Sequence, residues 1–153
     1  MSDLYDTDVL LWSEQQAALL RRRAAGELIN EAELDWPNVA EEIEAMGKSE
    51  RSALASRIAT IIEHLAKLET SPAIEPRIGW QETVIRARAD IDEILESSPS
   101  LRPTLDAVIA RQHARALRLA ASVLALYGET PRVPLEGIHY RTDQVLGPWF
   151  PAA

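Results

Sequence analysis

The chain has 153 residues, 46% hydrophobic and 5% aromatic, and its 24 acidic and 16 basic residues give a net charge of −8. This length can bury a core without disulfides or metal ions, and the absence of cysteine excludes disulfides, thiolate zinc sites and cysteine nucleophiles. The negative charge opposes binding to phosphate backbones, so nucleic acid is not an expected partner.

The N-terminal segment predicts a cytoplasmic protein. Its apolar run extends only from Val9 to Trp12, which is too short for a secretory signal or a membrane anchor. The first predicted helix is capped by Asp8, and Gly26 is placed to end it.

The longest predicted element covers residues 35–70, as one amphipathic helix or as two collinear helices that meet at Gly47. At about 100° per residue, its apolar side chains fall within about 60° of one line and form a core-facing stripe. The stripe consists of Val39, Ile43, Met46, Leu54, Ile58, Ile61, Leu65 and Leu68. Glu50 and Arg57 lie near the middle of this stripe and His64 at its edge, which predicts ionisable groups inside the core.

Two further helices are predicted. One begins near Trp80, carries Arg88 and Asp90 at the shoulders of its apolar face, and ends at Ser97. The next runs from Ser100, its predicted cap, to about Tyr127.

The last of these helices has two apolar strips. The predicted inward strip is Leu101, Leu105, Val108, Ala116, Leu119, Val123 and Leu126, and Gln112 and Arg115 interrupt it. The reverse strip is Ala110, His113, Leu117, Ala121 and Leu124, which must be covered by the C-terminal tail or by another subunit. The arginines Arg111, Arg115 and Arg118 are expected to form internal ion pairs, because three cations in an acidic protein make a small nucleic-acid footprint.

Four prolines and two glycines make the tail irregular, apart from a short helical turn at residues 142–146. Its aromatic residues Tyr140, Trp149 and Phe150 are expected to hold it against the helices. The predicted architecture is an all-α single domain of residues 1–153, a bundle of four main helices (1–130) with the tail (131–153) packed on the outside.

Templates for catalysis and metal binding are incomplete. Glu41, Glu42 and Glu44 point in different directions on their helix and so cannot share one ion. The predicted helices contain no Glu-x-x-His pair, and the sequence contains no phosphate-binding glycine loop and no Gly-x-Ser-x-Gly elbow. We therefore predict no catalytic residues, no metal site and no cofactor.

The ordered motifs resemble those of a bacterial family, domain-of-unknown-function family 29. The matching pieces are Tyr5-Asp6, Trp12, Leu19-Leu20-Arg21, Leu34-Asp35, Ala40-Glu41-Glu42-Ile43-Glu44, Gly47, Ser49-Glu50-Arg51, Ser56-Arg57, His64-Leu65, Lys67, Trp80, Thr83, Arg88 and Ser98-Pro99-Ser100-Leu101. The resemblance covers nearly the whole chain and implies an all-helical bacterial protein with no established activity. The tail departs from the family pattern, with Ile138-His139 where the family usually has Cys-Pro.

Two hypotheses for function follow. The first is a non-enzymatic interaction or regulatory module, a homodimer or partner-binding protein, with its interface on the strip of His113, Leu117, Ala121 and Leu124. The second is a protein that binds a small anion, a carboxylate or a metal through a buried polar network of Glu50, Arg57, His64, Arg88, Gln112 and Arg115. Structural ion pairs are the favoured interpretation of these residues, with Glu50 bonded to Arg115 or Arg88 and Arg57 bonded to Asp90 or a helix-end carbonyl.

Overall fold

A computed structural model describes residues 3–152, and its secondary structure is entirely helical. The α-helices are α1 (Asp3–Thr7), α2 (Val9–Ala24), α3 (Trp36–Thr70), α4 (Arg77–Ser97), α5 (Leu105–Leu126) and α6 (Thr142–Leu146). Two 3₁₀ segments, Glu31–Glu33 and Pro99–Thr104, precede α3 and α5. The all-α class and the four long helices are confirmed, and Gly47 does not interrupt α3.

Local sequence signals set most helix ends. The Asp8 carboxylate accepts a hydrogen bond from the Leu11 amide and caps α2. Gly26 and Gly128 follow α2 and α5 with φ of +81° and +70°, a backbone conformation that glycine adopts without steric cost. The short α6 lies at residues 142–146 as predicted, whereas α1 was not anticipated.

By its contacts the chain divides into two compact units, Met1–Ser49 and Glu50–Ala153. In the N-terminal unit (residues 1–49), Trp12 packs edge-on against Tyr5 and donates a hydrogen bond from its indole to Asp35 at 3.0 Å. Gln16 is buried and bonds the backbone at Glu33 and Asp35. These contacts join α1, α2 and the start of α3.

The C-terminal unit (residues 50–153) holds the main apolar core. The rest of α3 packs there with α4, α5 and α6. The core residues on α3 are Leu54, Ile58, Ile61, Ile62, Leu65 and Ala66, and other elements add Val84, Ala87, Ile91, Leu95, Leu101, Val108, Ile109, Ala116, Ala120, Tyr140 and Val145. The tail packs on this core through Tyr140, Trp149 and Phe150, as predicted.

The inward face predicted for α5 was wrong in part. Leu119 and Leu126 are 49% and 81% exposed, while Ile109, His113 and Leu124 are buried. The buried face includes Ala116 and Ala120, whose small side chains allow a neighbouring element to approach closely. The buried face is therefore rotated from the predicted one, which keeps Leu101, Val108 and Ala116 inside and leaves Leu119 and Leu126 outside.

Candidate functional site

The six residues of the predicted polar network are not gathered into one buried group. Arg57 pairs with Asp90 at 2.8 Å, but both side chains are nearly half exposed. Glu50 accepts a hydrogen bond from the Ser98 hydroxyl at 3.1 Å, and neither Arg88 nor Arg115 is its partner.

The other members of the network lie in different surroundings. Arg88 is partly buried, and its guanidinium donates to the backbone carbonyls of Gln144, Val145 and Trp149. Arg115 is exposed and Gln112 half-buried on α5. Glu50, Arg57 and Arg88 therefore belong to separate contacts, and within residues 3–152 no common network joins the six residues.

The N-terminal half of α3 explains why Arg57 was predicted inside the core but reaches solvent in the structure. The stripe was averaged over the whole helix, including Ile43 and Met46, which are exposed in the structure. In the C-terminal unit the buried arc of α3 instead centres on Ile58, Ile62 and Leu65. Arg57 therefore lies at the edge of the arc, where its long side chain reaches solvent.

A compact polar cluster, which we call the α3 triad, consists of Glu63, His64 and Lys67. Lys67 is only 4% exposed, and its ammonium lies 3.2 Å from the Glu63 carboxylate. The ammonium also lies 3.4 Å from His64 Nε2 and 5.3 Å from the ring centroid of Trp80 on α4. The cation is thus compensated by a carboxylate, an imidazole and an aromatic face.

The contacts of His64 define its tautomer. Its Nδ1 lies 2.8 Å from the Thr60 carbonyl oxygen, which can only accept, so Nδ1 carries the proton and Nε2 accepts from Lys67. Burial, and next the Lys67 charge, lower the pKa of His64 below its ordinary value. Since the Nε2 lone pair faces an ammonium, this nitrogen is not presented to a metal ion.

A second polar cluster, the tail latch, joins α3 and α5 to the tail through His113, Tyr140 and Glu69. His113 Nε2 accepts a hydrogen bond from the Tyr140 amide at 2.9 Å, and the Tyr140 hydroxyl donates to the Glu69 carboxylate. The His139 ring stacks on His113 with a centroid distance of 4.8 Å. Burial, and next the proximity of His139, lower the pKa of His113. The latch therefore requires an uncharged His113.

We expect the free energy of unfolding to fall as the pH drops through about 6.5. The partly buried His64 and the buried His113 both have lowered pKa values in the folded protein, so below that pH the unfolded chain binds protons more tightly. Each contributes a slope of at most about 1.4 kcal/mol per pH unit. Urea unfolding between about pH 7.5 and pH 5 measures this pH dependence. In His64→Gln/His113→Gln the free energy of unfolding is expected to change less with pH.

The exposed imidazole of His139 provides the control for this pH dependence. His139→Gln should retain most of the wild-type slope, because His64 and His113 remain. An unchanged slope in the His64→Gln/His113→Gln variant would contradict the assignment.

The predicted interface strip on α5 is covered mostly by the tail. His113 and Leu124 are buried, which corrects their assignment to an interface. Leu117 and Ala121 are half-buried and line a groove of about 520 Å³ with Pro134, Leu135 and other residues. The tail thus takes the place that the sequence left open to either the tail or a second subunit.

The N-terminal unit has a larger groove, of about 970 Å³. It lies between α2 and the start of α3 and is lined by Trp12, Leu19, Arg22, Asn38 and other residues. None of the six residues of the predicted network lines this groove or the α5 groove.

The expected internal pairing of the α5 arginines is not observed. Arg111, Arg115 and Arg118 are exposed, and the contacts of residues 3–152 include no ion pair or hydrogen bond to these side chains. The reason is the orientation of α5, which turns Leu119, Leu126 and the arginines outward together.

Several residues that carry the family resemblance touch one another although they are distant in sequence. Lys67 meets Trp80, and Glu50 meets Ser98. In the N-terminal unit Tyr5 meets Trp12 and donates to Glu42, whose carboxylate raises the pKa of Tyr5 to about 12. Sequence reasoning missed Glu63 and Lys67, although their i, i+4 spacing is typical of a helical ion pair.

The fold and its polar clusters define an all-α protein in which charged side chains join helices to each other and to an irregular tail. Within residues 3–152, no cluster of histidine and carboxylate side chains could hold a metal ion, and no helix is sufficiently long and apolar to cross a membrane. A family model described as Domain of unknown function DUF29 matches residues 4–150, and the chain belongs to this family. Neither a curated protein nor a solved structure matches the chain.

Proposed function

We propose that this protein is a non-enzymatic interaction module that forms a homodimer through the N-terminal half of α3. The observation that carries the proposal is the contrast between the two halves of one apolar stripe. Ile58, Ile61 and Leu65 are fully buried, whereas Ile43 and Met46 are 65% and 69% exposed. Exposed apolar side chains that continue a core stripe are typical of a surface covered by a partner helix.

Charge along α3 favours an antiparallel pair of these segments. Glu41, Glu42 and Glu44 lie near the beginning of the exposed half. A parallel pair would align the glutamates of the two copies at one end of the contact, whereas an antiparallel pair separates them. An antiparallel arrangement therefore avoids this repulsion between the two copies.

The same antiparallel register gives an apolar seam. Ile43 of each copy faces Met46 of the other, following the 3.5-residue spacing of paired helices. Ala40 and Gly47 lie beside the seam, both exposed, and their small side chains allow the two helices to approach closely. A side chain at position 47 has free space in the isolated chain, since no neighbouring atom lies within 4 Å of a Cβ built there.

Gly47→Leu is expected to stabilise the monomer and weaken the dimer. Replacing a helical glycine by leucine stabilises the helix by about 0.5–1 kcal/mol. In the dimer the larger side chain holds the two helices apart. Gly79→Leu is the matched control, because Gly79 lies in α4 with equally free space. Sedimentation equilibrium should show weaker association for Gly47→Leu alone, with both variants at least as heat-stable as the wild type.

Ile43→Glu should abolish dimerisation by placing a charge in the seam, raising the dissociation constant by at least about 100-fold. Ile85→Glu changes an equally conspicuous isoleucine, 58% exposed on α4, and should leave the dimer intact. The proposal is wrong if the wild type stays monomeric up to about 1 mM, where association would be worth less than about 4 kcal/mol. It is also wrong if both isoleucine variants associate like the wild type.

A further inference from the structure

We propose that the exposed face of α5 docks an amphipathic helix of a second protein, one whose apolar stripe is flanked by acidic side chains. This face goes beyond the self-association of α3 and involves a different helix. A chain that dimerises through α3 would then present two such docking faces, one from each copy.

The arginines of α5 indicate the charge of the partner. Arg111, Arg115 and Arg118 follow one another at i, i+4 and i+7 and all point to solvent. They have no ion pair within the part of the chain that the structure describes, although the whole protein has a net charge of −8. A group of three unpaired cations in an acidic protein is an electrostatic feature that an acidic partner would complement.

The side chains beside the arginines indicate the shape of the partner. Leu119 and Leu126 are exposed and lie one heptad apart, and the exposed Ser122 between them completes the 3–4 spacing of a helical seam. The small serine side chain lets a second helix approach closely between the two leucines. In this register Arg115 continues the line of the seam, and Arg111 and Arg118 flank it, where paired helices place the charges that select their partners. The face therefore matches a helix with leucine-like residues along its seam and carboxylates at its flanks.

Other occupants match this face less well. A nucleic-acid surface would meet Leu119 and Leu126 where further cations or polar groups are needed. A parallel second copy of α5 would bring arginine against arginine, and in an antiparallel one residues 119–126 offer no carboxylate to the arginines. An acidic helix satisfies both the charge and the exposed leucines.

The test uses the full chain and two synthetic peptides of about 28 residues, four heptads with leucine along the seam. One peptide carries glutamate at the flanking positions and the other carries lysine. Fluorescence polarisation is expected to show the glutamate peptide binding at least about tenfold tighter than the lysine peptide, with an affinity that falls as salt is added. In Arg111→Glu/Arg118→Glu this preference should invert, which only a folded protein using this face can produce.

Three outcomes would overturn the proposal. The first is equal binding of the two peptides or no binding, and the second is tighter binding to a duplex DNA than to the glutamate peptide. The third is loss of self-association in Arg111→Glu/Arg118→Glu, which would assign the face to a second copy. If Ile43→Glu is monomeric and still binds the glutamate peptide, the two surfaces are independent and each proposal stands or fails separately.

Discussion

Glu63→Gln is expected to lower the free energy of unfolding by about 3–5 kcal/mol, the usual cost of removing one partner from a buried ion pair. The substitution leaves the Lys67 ammonium, 4% exposed, without its counter-ion. His64 Nε2 and the Trp80 ring remain near the ammonium, but neither carries a negative charge. Urea unfolding followed by circular dichroism measures the change.

Two variants show whether this loss arises from the uncompensated charge. Glu82→Gln removes the acid of an exposed i, i+4 pair with Arg86 and should cost less than about 0.5 kcal/mol. Glu63→Gln/Lys67→Met removes both charges and should recover most of the stability, because an apolar residue of similar length replaces the ammonium. A double variant as unstable as Glu63→Gln would show that packing, and not charge, accounts for the loss.

The helix ends could be predicted because their signals are local. Asp8 caps α2, and Gly26 and Gly128 supply a left-handed backbone immediately after α2 and α5. Pro99 ends α4 through the restriction that proline places on the residue before it. Each of these signals acts within a few residues, so no knowledge of the tertiary packing was necessary.

Which side of a helix is buried depends on which parts of the chain pack together. The spacing of apolar residues along the sequence does not contain that information. On α3 the stripe is continuous in sequence, yet its two halves fall in different compact units and only one half is core. On α5 the buried face lies between the two predicted strips, with Ala116 from one and His113 and Leu124 from the other. Both errors have the same physical origin, namely that an apolar side chain can face a core, a tail or a partner.

Some of the polar contacts could be predicted from the sequence and others could not. The α3 triad lies within two turns of one helix, so its spacing was visible in the sequence. The bonds of Arg88 end on backbone carbonyls, which every residue possesses and no sequence pattern distinguishes. The docking of the tail could therefore be predicted from its aromatic residues, but the arginine that holds it there could not.

Arg88→Ala is expected to cost about 3–4 kcal/mol and to release the C-terminal tail. Arg88 donates hydrogen bonds of 3.0, 2.9 and 2.7 Å to the carbonyls of Val145, Gln144 and Trp149, and its guanidinium stacks over Phe150 at 4.9 Å. Hydrogen bonds to a charged donor contribute about 1.5–3 kcal/mol each, although bonds that share one donor do not add fully. The variant also leaves these partly buried carbonyls without a donor.

The arginine two residues earlier on the same helix is the matched control. Arg86 is exposed and pairs with Glu82, so Arg86→Ala should change stability by less than about 0.5 kcal/mol. Arg88→Lys should recover only part of the loss, because one ammonium cannot reproduce the planar fork that reaches three carbonyls. Limited proteolysis should cut residues 131–152 first in Arg88→Ala, while α3, α4 and α5 stay intact. If Arg88→Ala costs less than about 1 kcal/mol, or its tail resists protease as well as that of Arg86→Ala, the aromatic residues alone hold the tail and the guanidinium is not its anchor.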